Sequence, residues 1–173
     1  MNDSPHKPNA EQMLQRHQGI YWKVARTFAD THADEQDLAQ EIVITVWNAI
    51  DSFDGQAKES TFVYRVALNR AITWQRRKAT YDRHLKSFGE QHRPSKPDID
   101  TSDTSLQLKE LYAAIRRLPD ADRSLVLMHL DRLSYREISD VMGISESNVG
   151  ARLSRIRKRL AADLVDGEQT NAV

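Results

Sequence analysis

The sequence predicts an all-α protein that consists of two small helical domains joined by a flexible linker. Apolar residues recur at helical spacing through most of the chain, and no stretch of any length alternates like a β-strand. Residues 87–105 contain two prolines, many Ser, Thr and Asp residues and almost nothing apolar, which is typical of a linker. The predicted domains are therefore residues 10–86 and 106–165. A long surface loop within one domain is the alternative, but such loops are uncommon in compact domains.

Composition narrows the classes of function. Apolar residues make up 39% and charged residues 29% of the chain, as in a folded, helix-rich protein. The absence of cysteine excludes disulfide bonds, thiolate nucleophiles and Cys-ligated zinc. No apolar run approaches the ~18 residues of a transmembrane helix, and residues 1–9 lack the apolar stretch of a signal peptide. We therefore expect a cytoplasmic protein without a membrane partner, and nothing in the sequence indicates a cofactor.

The first predicted domain contains three helices, over residues 10–29, 34–50 and 61–86. Acidic residues fall in the first turns of the second helix, where they complement the helix dipole. Residues 51–60 carry Gly55 and few apolar side chains, which predicts a loop. The apolar stripes are expected to contain Met13, His17, Ile20, Tyr21, Val24 and Phe28 in the first helix, Leu38, Ile42, Val46 and Ala49 in the second, and Val63, Ala67, Ala71 and Trp74 in the third.

The second predicted domain begins with two amphipathic helices, over residues 106–118 and 120–130, which Pro119 separates. The second of these carries Leu125, Val126, Met128 and Leu130. Two further helices follow, and the chain after Val165 is expected to fray.

A helix-turn-helix is predicted over residues 134–160. Ser134 and Glu137 form a capping box that opens a short helix, and Gly143 suits the left-handed position that closes it. Ser145 can cap the next helix, whose small and basic outer face suits the major groove of DNA. A plain helical hairpin with a solvated basic face is the alternative. The predicted buried stripe is Val149, Leu153, Ile156 and Leu160, and the outer face is Ser147, Ala151, Ser154, Arg155 and Lys158.

Three stretches of the chain together resemble RNA polymerase sigma factors. DEQDLAQEIVITVW (residues 34–47) and TFVYRVALNRAITWQRRK (residues 61–78) resemble the two signature stretches of sigma domain 2. The segment over residues 118–160 resembles sigma domain 4. With no segment for the other sigma domains, the chain is similar to the small extracytoplasmic-function (ECF) type. This resemblance implies a factor without an active site that binds core RNA polymerase and directs initiation at −35 and −10 promoter elements.

The acidic face of the second helix suits docking onto a basic protein surface. The resemblance identifies that surface as the clamp helices of the polymerase β′ subunit, with the β subunit as a further contact. A solvated first turn would also explain the acidic residues, and a Trp at helical spacing is more often core than interface. The predicted polymerase-binding residues are Asp34, Asp37, Leu38, Gln40, Glu41 and Trp47.

Basic and amide side chains interleave with aromatic rings on the third helix, a combination that suits single-stranded DNA. The resemblance implies that this helix and the preceding loop recognise and melt the −10 element. Core packing of the rings and a solvated face for the arginines are the alternatives. The predicted −10 residues are Phe53, Phe62, Arg65, Asn69, Arg76 and Arg77.

Gly150 and Ala151 occupy positions where relatives often carry a basic and a hydroxyl residue. Base reading at the −35 element is therefore expected to depend more on the neighbouring polar residues, with Arg152 on phosphate. The predicted −35 residues are Ser147, Asn148, Ala151, Arg152, Ser154 and Arg155.

Two other classes of function remain open at this point. A stand-alone helix-turn-helix repressor or activator would bind a palindrome as a dimer. A helical metal hydrolase would need a ligand set such as His32, Asp34 and Asp37, but these do not share one helical face, and no H-E-x-x-H or E-x-x-H spacing occurs. We therefore predict no enzyme and no metal site. The resemblance also leaves an anti-sigma factor as a candidate partner and implies that the linker, acidic at Asp98, Asp100 and Asp103, threads the polymerase near the RNA path.

Overall fold

The computed structural model describes residues 10–87 and 106–170, and all regular secondary structure in these ranges is helical. The described residues form two compact units, one on each side of the gap between residues 87 and 106. The prediction of an all-α chain with two small helical domains is confirmed. Residues 88–105, which include Asp98, Asp100 and Asp103 of the predicted linker, lie outside the described residues. The helices are α1 (Ala10–Arg16), α2 (Gln18–Phe28), α3 (His32–Ala49), α4 (Glu59–Ser87), α5 (Leu106–Arg116), α6 (Asp120–Leu130), α7 (Tyr135–Met142) and α8 (Glu146–Thr170).

The first unit is built from α2, α3 and α4, which pack around one apolar core. Each helix contributes side chains at three- or four-residue intervals, so that one face is buried and the opposite face remains exposed. Most of the predicted stripes are confirmed, although His17, Ala49 and Trp74 are only half-buried. The buried side chains include Val24 and Phe28 of α2, Leu38, Ile42 and Val46 of α3, and Val63, Ala67 and Ala71 of α4.

The predicted first helix is wrong as one continuous element, because α1 ends at Arg16 and α2 begins at Gln18. The break lies at His17, whose backbone has φ −107° and ψ 12°. The His17 imidazole forms a hydrogen bond with the Glu59 carboxylate of α4, with 3.1 Å between Nε2 and Oε2. Gly19, a poor helix former, follows two residues later. A tertiary contact and a weak helical position therefore coincide where hydrophobic periodicity predicts an unbroken helix.

The connection between α3 and α4 is shorter than predicted. A 3₁₀ turn over Ile50–Ser52 follows α3, and α4 begins at Glu59, two residues before the predicted start. At the other end of α3, the Thr31 hydroxyl accepts a hydrogen bond from the Asp34 backbone N–H at 3.1 Å, so this helix begins earlier than predicted as well. Residues 53–58 therefore form the loop that leads into α4.

The second unit packs α5, α6, α7 and α8 around Ile115, Leu125, Met128, Ile138 and Leu153, all buried. Leu130 is 52% exposed, because it is the last residue of α6, where the helix leaves the core. The backbone of α8 continues as a helix to Thr170, past the position where fraying is expected. No helix in the described part of either unit is long and apolar enough to cross a bilayer.

Candidate polymerase and nucleic-acid interfaces

Two acidic residues of α3 form ion pairs with basic residues of α4. The Asp34 carboxylate accepts a hydrogen bond from the Lys78 ammonium, and the Glu41 carboxylate accepts one from the Arg70 guanidinium. Asp34 and Glu41 are about two turns apart on α3, as Lys78 and Arg70 are on α4, so the two pairs form between antiparallel helices. Both acids were predicted to bind the polymerase, and the structure places them in contacts within the unit.

Lys78 lies at the centre of a small charged cluster. Burial alone lowers its pKa, but the hydrogen bond to Asp34 and the negative charge of Asp30, whose Oδ2 lies 3.2 Å from Nζ, raise it above the usual lysine value. The Lys78 ammonium also lies 5.1 Å from the centre of the Trp74 ring. These contacts hold the middle of α4 against the start of α3.

The exposed face of α3 is mainly apolar and amide in character. Trp47 is 50% exposed and Ile44 is 61% exposed, while Asp37 and Gln40 are also exposed. The core position suggested as an alternative for Trp47 is therefore wrong. Leu38 is completely buried beneath this face, so its predicted contact with a partner is corrected to core packing.

A groove of about 500 Å³ lies between α2 and α3 beside this face. Trp22 of α2, 47% exposed, forms part of its wall. The Tyr21 hydroxyl is buried and has no hydrogen-bond partner among the described residues, and burial raises the pKa of Tyr21 to about 12. The groove is lined by Tyr21, Trp22, Gln36, Ala39, Gln40, Val43 and Ile44. We call Trp22, Gln40, Ile44 and Trp47 the α2–α3 surface.

The predicted −10 residues lie on α4 and on the loop before it. Arg65, Asn69 and Arg76 are exposed along α4, as is Arg77. Phe53 of the loop packs against Phe62 of α4, with 5.1 Å between the ring centres and 54° between the ring planes. Tyr64 is buried in the core and takes no part in this surface.

The helix-turn-helix has the predicted local geometry. The Ser134 hydroxyl accepts from the Glu137 N–H at 3.2 Å, and Glu137 Oε2 accepts from the Ser134 N–H at 2.7 Å, which is the expected capping box. The backbone of Gly143 has the left-handed helical conformation, with φ +65°. The Ser139 hydroxyl donates to the Ile144 carbonyl across the turn at 2.6 Å. These contacts set the orientation of α8 relative to α7.

The outer face of α8 is exposed as predicted, since Val149, Leu153 and Ile156 are buried on the opposite face. Leu160, the fourth residue of the predicted stripe, is half-buried. Arg152 differs from its neighbours, because its Nε and Nη2 donate to Asp122 Oδ1 of α6 at 3.1 and 2.7 Å. The exposed residues of the outer face are Ser147, Asn148, Ala151, Ser154, Arg155 and Lys158.

A shallow cleft of about 430 Å³ separates the start of α6 from α8. Its basic lining includes Arg155 and Arg159, both exposed, next to the Arg152–Asp122 pair. Gly150 faces α7, and a Cβ atom at this position would lie 3.3 Å from the Tyr135 ring. The lack of a side chain at Gly150 therefore lets the Tyr135 ring lie close to α8.

The described residues contain no cluster of three or more side chains that could hold a metal ion, so His32, Asp34 and Asp37 form no such site.

Comparison with known proteins decides the family. The sigma-70 region 2 family matches residues 13–81, and the sigma-70 region 4 family matches residues 108–160. The ECF RNA polymerase sigma factor SigW of Bacillus subtilis is 31% identical over 157 residues, which cover 85% of this chain and 83% of SigW. The chain belongs to the ECF sigma factors. The ECF sigma-E factor of Escherichia coli K12 is 30% identical over 143 residues, with 73% and 72% coverage of the two chains.

Solved sigma factor structures share the fold of this sigma factor. RpoE of Bartonella quintana, determined in complex with the anti-sigma factor NepR, aligns with a TM-score of 0.73 at 21% identity and covers 89% of this chain. CnrH, determined in complex with the cytosolic domain of CnrY, aligns with a TM-score of 0.63 at 24% identity and covers 91%. The alignments span 95% and 88% of those two chains.

Family membership settles the class of function. Sigma factors are non-enzymatic initiation factors that act with RNA polymerase and promoter DNA, which confirms the prediction of these two partners and of a non-enzymatic class. A stand-alone repressor or activator would not account for the region 2 match. The roles of individual residues in this sigma factor remain predictions.

Sequence reasoning missed two parts of these surfaces. Trp22 and Ile44 were not among the predicted contacts, although Ile44 lies off the buried stripe of Leu38, Ile42 and Val46 and was for that reason a candidate for exposure. The pairing of Arg152 with Asp122 joins residues 30 positions apart in the sequence. No local pattern indicates such a pair.

Proposed function

We propose that this sigma factor acts in the cytoplasm, binds core RNA polymerase through the α2–α3 surface, reads −35 DNA with α8 and opens −10 DNA with α4 and loop 53–58. The observation that carries the promoter function is the outer face of α8. Small and donor-rich side chains are exposed there on a helix whose opposite face is buried. Small side chains on this face let the helix enter the major groove, and the donors can then approach base edges.

The polymerase-binding residues that we propose differ from those predicted by sequence. Asp34 and Glu41 are engaged by Lys78 and Arg70, whereas the α2–α3 surface exposes two tryptophans and an isoleucine beside Gln40. Exposed aromatic and apolar side chains that cluster on one face mark a protein interface, and tryptophan is over-represented among the residues that dominate binding energy. We infer that this surface contacts the β′ clamp helices, with Asp37 at its acidic rim. Contact with the β subunit follows from family resemblance alone.

The −35 contacts divide by the environment of each side chain. Asn148 and Arg155 are exposed on α8 and carry the donors and acceptors that read base edges in the major groove. Arg152 already has its charge balanced by Asp122, so its main role is to hold α8 against α6. Arg159 lines the cleft beside α6, and its positive charge can neutralise a phosphate.

The −10 contacts follow from the exposed side of α4. Arg65 and Arg76 provide positive charge along the helix, and Asn69 provides an amide between them. An amide can satisfy the hydrogen-bonding edge of an extruded base, and arginines can follow the phosphate backbone. Opening requires unstacking of bases, which costs a few kcal/mol, and capture of an unstacked base offsets this cost.

An anti-sigma factor is a further partner that we propose. RpoE of Bartonella quintana, which shares the fold, was determined in complex with the anti-sigma factor NepR. Such a factor would control how much of this sigma factor is free to bind core polymerase.

The test is run-off transcription with purified core polymerase on a library of genomic fragments. We expect transcripts that require this sigma factor and whose start sites share two upstream elements at a fixed spacing. Core polymerase alone and holoenzyme with Trp47→Ala serve as controls. Tight binding to a palindromic duplex without core polymerase, together with no sigma-dependent transcripts, would contradict the proposal.

A further inference from the structure

Two basic residues at the break between α1 and α2 hold the first residue of α4. Arg16 Nη2 donates to Glu59 Oε1 at 2.9 Å, and His17 Nε2 lies 3.1 Å from Glu59 Oε2. Both oxygens of one carboxylate are therefore engaged by adjacent residues that are more than 40 positions away in the sequence. We call these three side chains the Glu59 clamp.

The clamp lies at one end of loop 53–58, and the other end is also anchored. Phe53 packs on Phe62 at 5.1 Å between ring centres. Within the loop, Asp54 Oδ1 accepts from the Gln56 N–H at 3.0 Å, and Gly55 has φ +75°, which glycine adopts without steric cost. The loop therefore enters α4 between an aromatic contact and an ionic contact.

The clamp lies next to a break in a predicted helix and next to residues that we propose to bind DNA. The helix that periodicity predicts over residues 10–29 is broken at His17, next to the clamp. Glu59 also places a carboxylate beside residues that we propose to bind DNA, where an unpaired negative charge would repel phosphate. Arg16 and His17 supply positive or hydrogen-bonding groups that offset this repulsion. The break at His17 is a conflict between local sequence preference and structure, and such conflicts concentrate at functional sites.

We propose that Glu59 is a positioning residue for −10 recognition. Held by Arg16 and His17, it fixes the start of α4 and keeps loop 53–58 in the conformation that receives an extruded base. This inference rests on the proposed −10 function of the loop. Pre-organisation reduces the entropy lost on binding, so release of the clamp should weaken capture of single-stranded −10 DNA. Polymerase binding and −35 binding involve other surfaces and should not change.

Glu59→Gln in reconstituted holoenzyme distinguishes two explanations, because they predict opposite changes in DNA binding. Removal of a negative charge near DNA strengthens DNA binding if Glu59 acts only through electrostatics. The clamp predicts binding to a single-stranded −10 oligonucleotide that is weaker by about three- to tenfold, the range expected for a partly exposed ion pair with its hydrogen bonds. Glu11→Gln, which removes an exposed carboxylate from α1, is the matched control and should not weaken binding.

Arg16→Gln gives an independent route to the same result. If Arg16 and Glu59 act as one unit, each single variant and the double variant should show a similar loss, because the second change removes nothing further. Losses that add fully in the double variant would show that Arg16 and Glu59 act separately and would overturn the clamp. Base discrimination at the captured position should also fall, whereas a merely destabilised protein keeps its discrimination at temperatures where it is folded.

Deletion of Gln56 and Ala57 tests the proposed DNA-binding function of loop 53–58 separately from the role of the clamp. If the deletion weakens single-strand binding and Glu59→Gln does not, the clamp is overturned and the loop function stands. If the deletion leaves single-strand binding unchanged, the proposed function of the loop is overturned and the clamp with it. The oligonucleotide should carry a −10 sequence identified by the run-off experiment.

Discussion

Glu41 of α3 and Arg70 of α4 form an ion pair across the interface of the two helices on which the proposed polymerase and −10 contacts depend. The Glu41 side chain is 39% exposed and that of Arg70 is 20% exposed. Arg70 Nε is buried without a hydrogen-bond partner in the described part of the chain, so its guanidinium depends on Glu41 for charge balance. An acid that sequence assigns to a partner thus stabilises the unit itself.

The first prediction separates this stabilising role from docking. Glu41→Gln should lower the free energy of unfolding by about 1 kcal/mol, because the half-buried Arg70 guanidinium loses its negatively charged partner. Affinity for core polymerase should change little. Urea unfolding and a core-binding titration measure the two effects, and Asp37→Asn, at an exposed acid, is the control for the change in stability alone. Normal stability with a large loss of core affinity would show instead that Glu41 contacts the polymerase.

The second prediction concerns the α2–α3 surface. Trp47→Ala and Trp22→Ala should each weaken core binding by about 2 kcal/mol, a typical loss for a tryptophan at the centre of an interface. Both side chains are about half exposed, so the fold should tolerate the changes. Tyr81→Ala on α4 removes another exposed aromatic ring, 63% exposed, and is the control. Equal affinity of all three variants in a fluorescence titration would exclude this surface.

The third prediction distinguishes the arginines of α8. Arg155→Ala should change the preferred −35 bases. At one position, the difference in binding free energy between the preferred base and the others should fall by about 1–3 kcal/mol. Arg152→Ala should chiefly lower the thermal stability of the second unit, because Asp122 loses its partner. The slope of log affinity against log salt should then change by less than the ~0.9 expected for loss of a full phosphate contact. Unchanged stability with a full change in slope would identify Arg152 as a phosphate contact instead.

The fourth prediction is a pH dependence. The pKa of buried Tyr21 is raised to about 12, so the unfolded chain releases the phenolic proton at lower pH than the folded chain. Stability is therefore complete below the ordinary tyrosine pKa of about 10 and is lost as pH rises towards 12, by up to about 1.4 kcal/mol per pH unit for one proton. Tyr21→Phe should reduce this slope and have little effect at pH 7, because the hydroxyl has no partner in the described structure. Urea unfolding between pH 8 and 11 measures the dependence of stability on pH. An unchanged slope in Tyr21→Phe would contradict the assignment of this dependence to Tyr21.

Hydrophobic periodicity predicts most of the fold because helix–helix packing buries residues at regular intervals. Leu38, Ile42 and Val46 are all buried as their spacing predicts, and the turn at Gly143 follows from local chemistry. Periodicity fails for polar groups that find partners far along the chain. Glu35 fits a helix-dipole role by sequence, but it is 2% exposed and accepts from Arg26 Nε at 3.2 Å.

In the candidate sites as well, sequence predicts which face is exposed but not which polar groups pair with distant residues. Exposure of the outer face of α8 follows from its buried stripe, so the −35 face is predictable from sequence. The partners of Asp34, Glu41 and Arg152 are not, because charge alone does not tell an acid that faces solvent from one that faces the next helix. Trp47 was ambiguous for a related reason, since a tryptophan suits a core and an interface equally well.

Permanganate footprinting of the Asn69→Ala holoenzyme tests the central claim, promoter opening by α4, most directly. The variant is compared on a duplex promoter and on the same promoter unpaired across the −10 element, with Gln12→Ala, another exposed amide of the same unit, as the control. We expect Asn69→Ala to lose thymine reactivity in the −10 region of the duplex, with normal core and −35 binding. The unpaired promoter should restore most of the activity, because bases need no longer be unstacked. Normal reactivity on the duplex, or an equal defect on both templates, would contradict a role of this face in opening DNA.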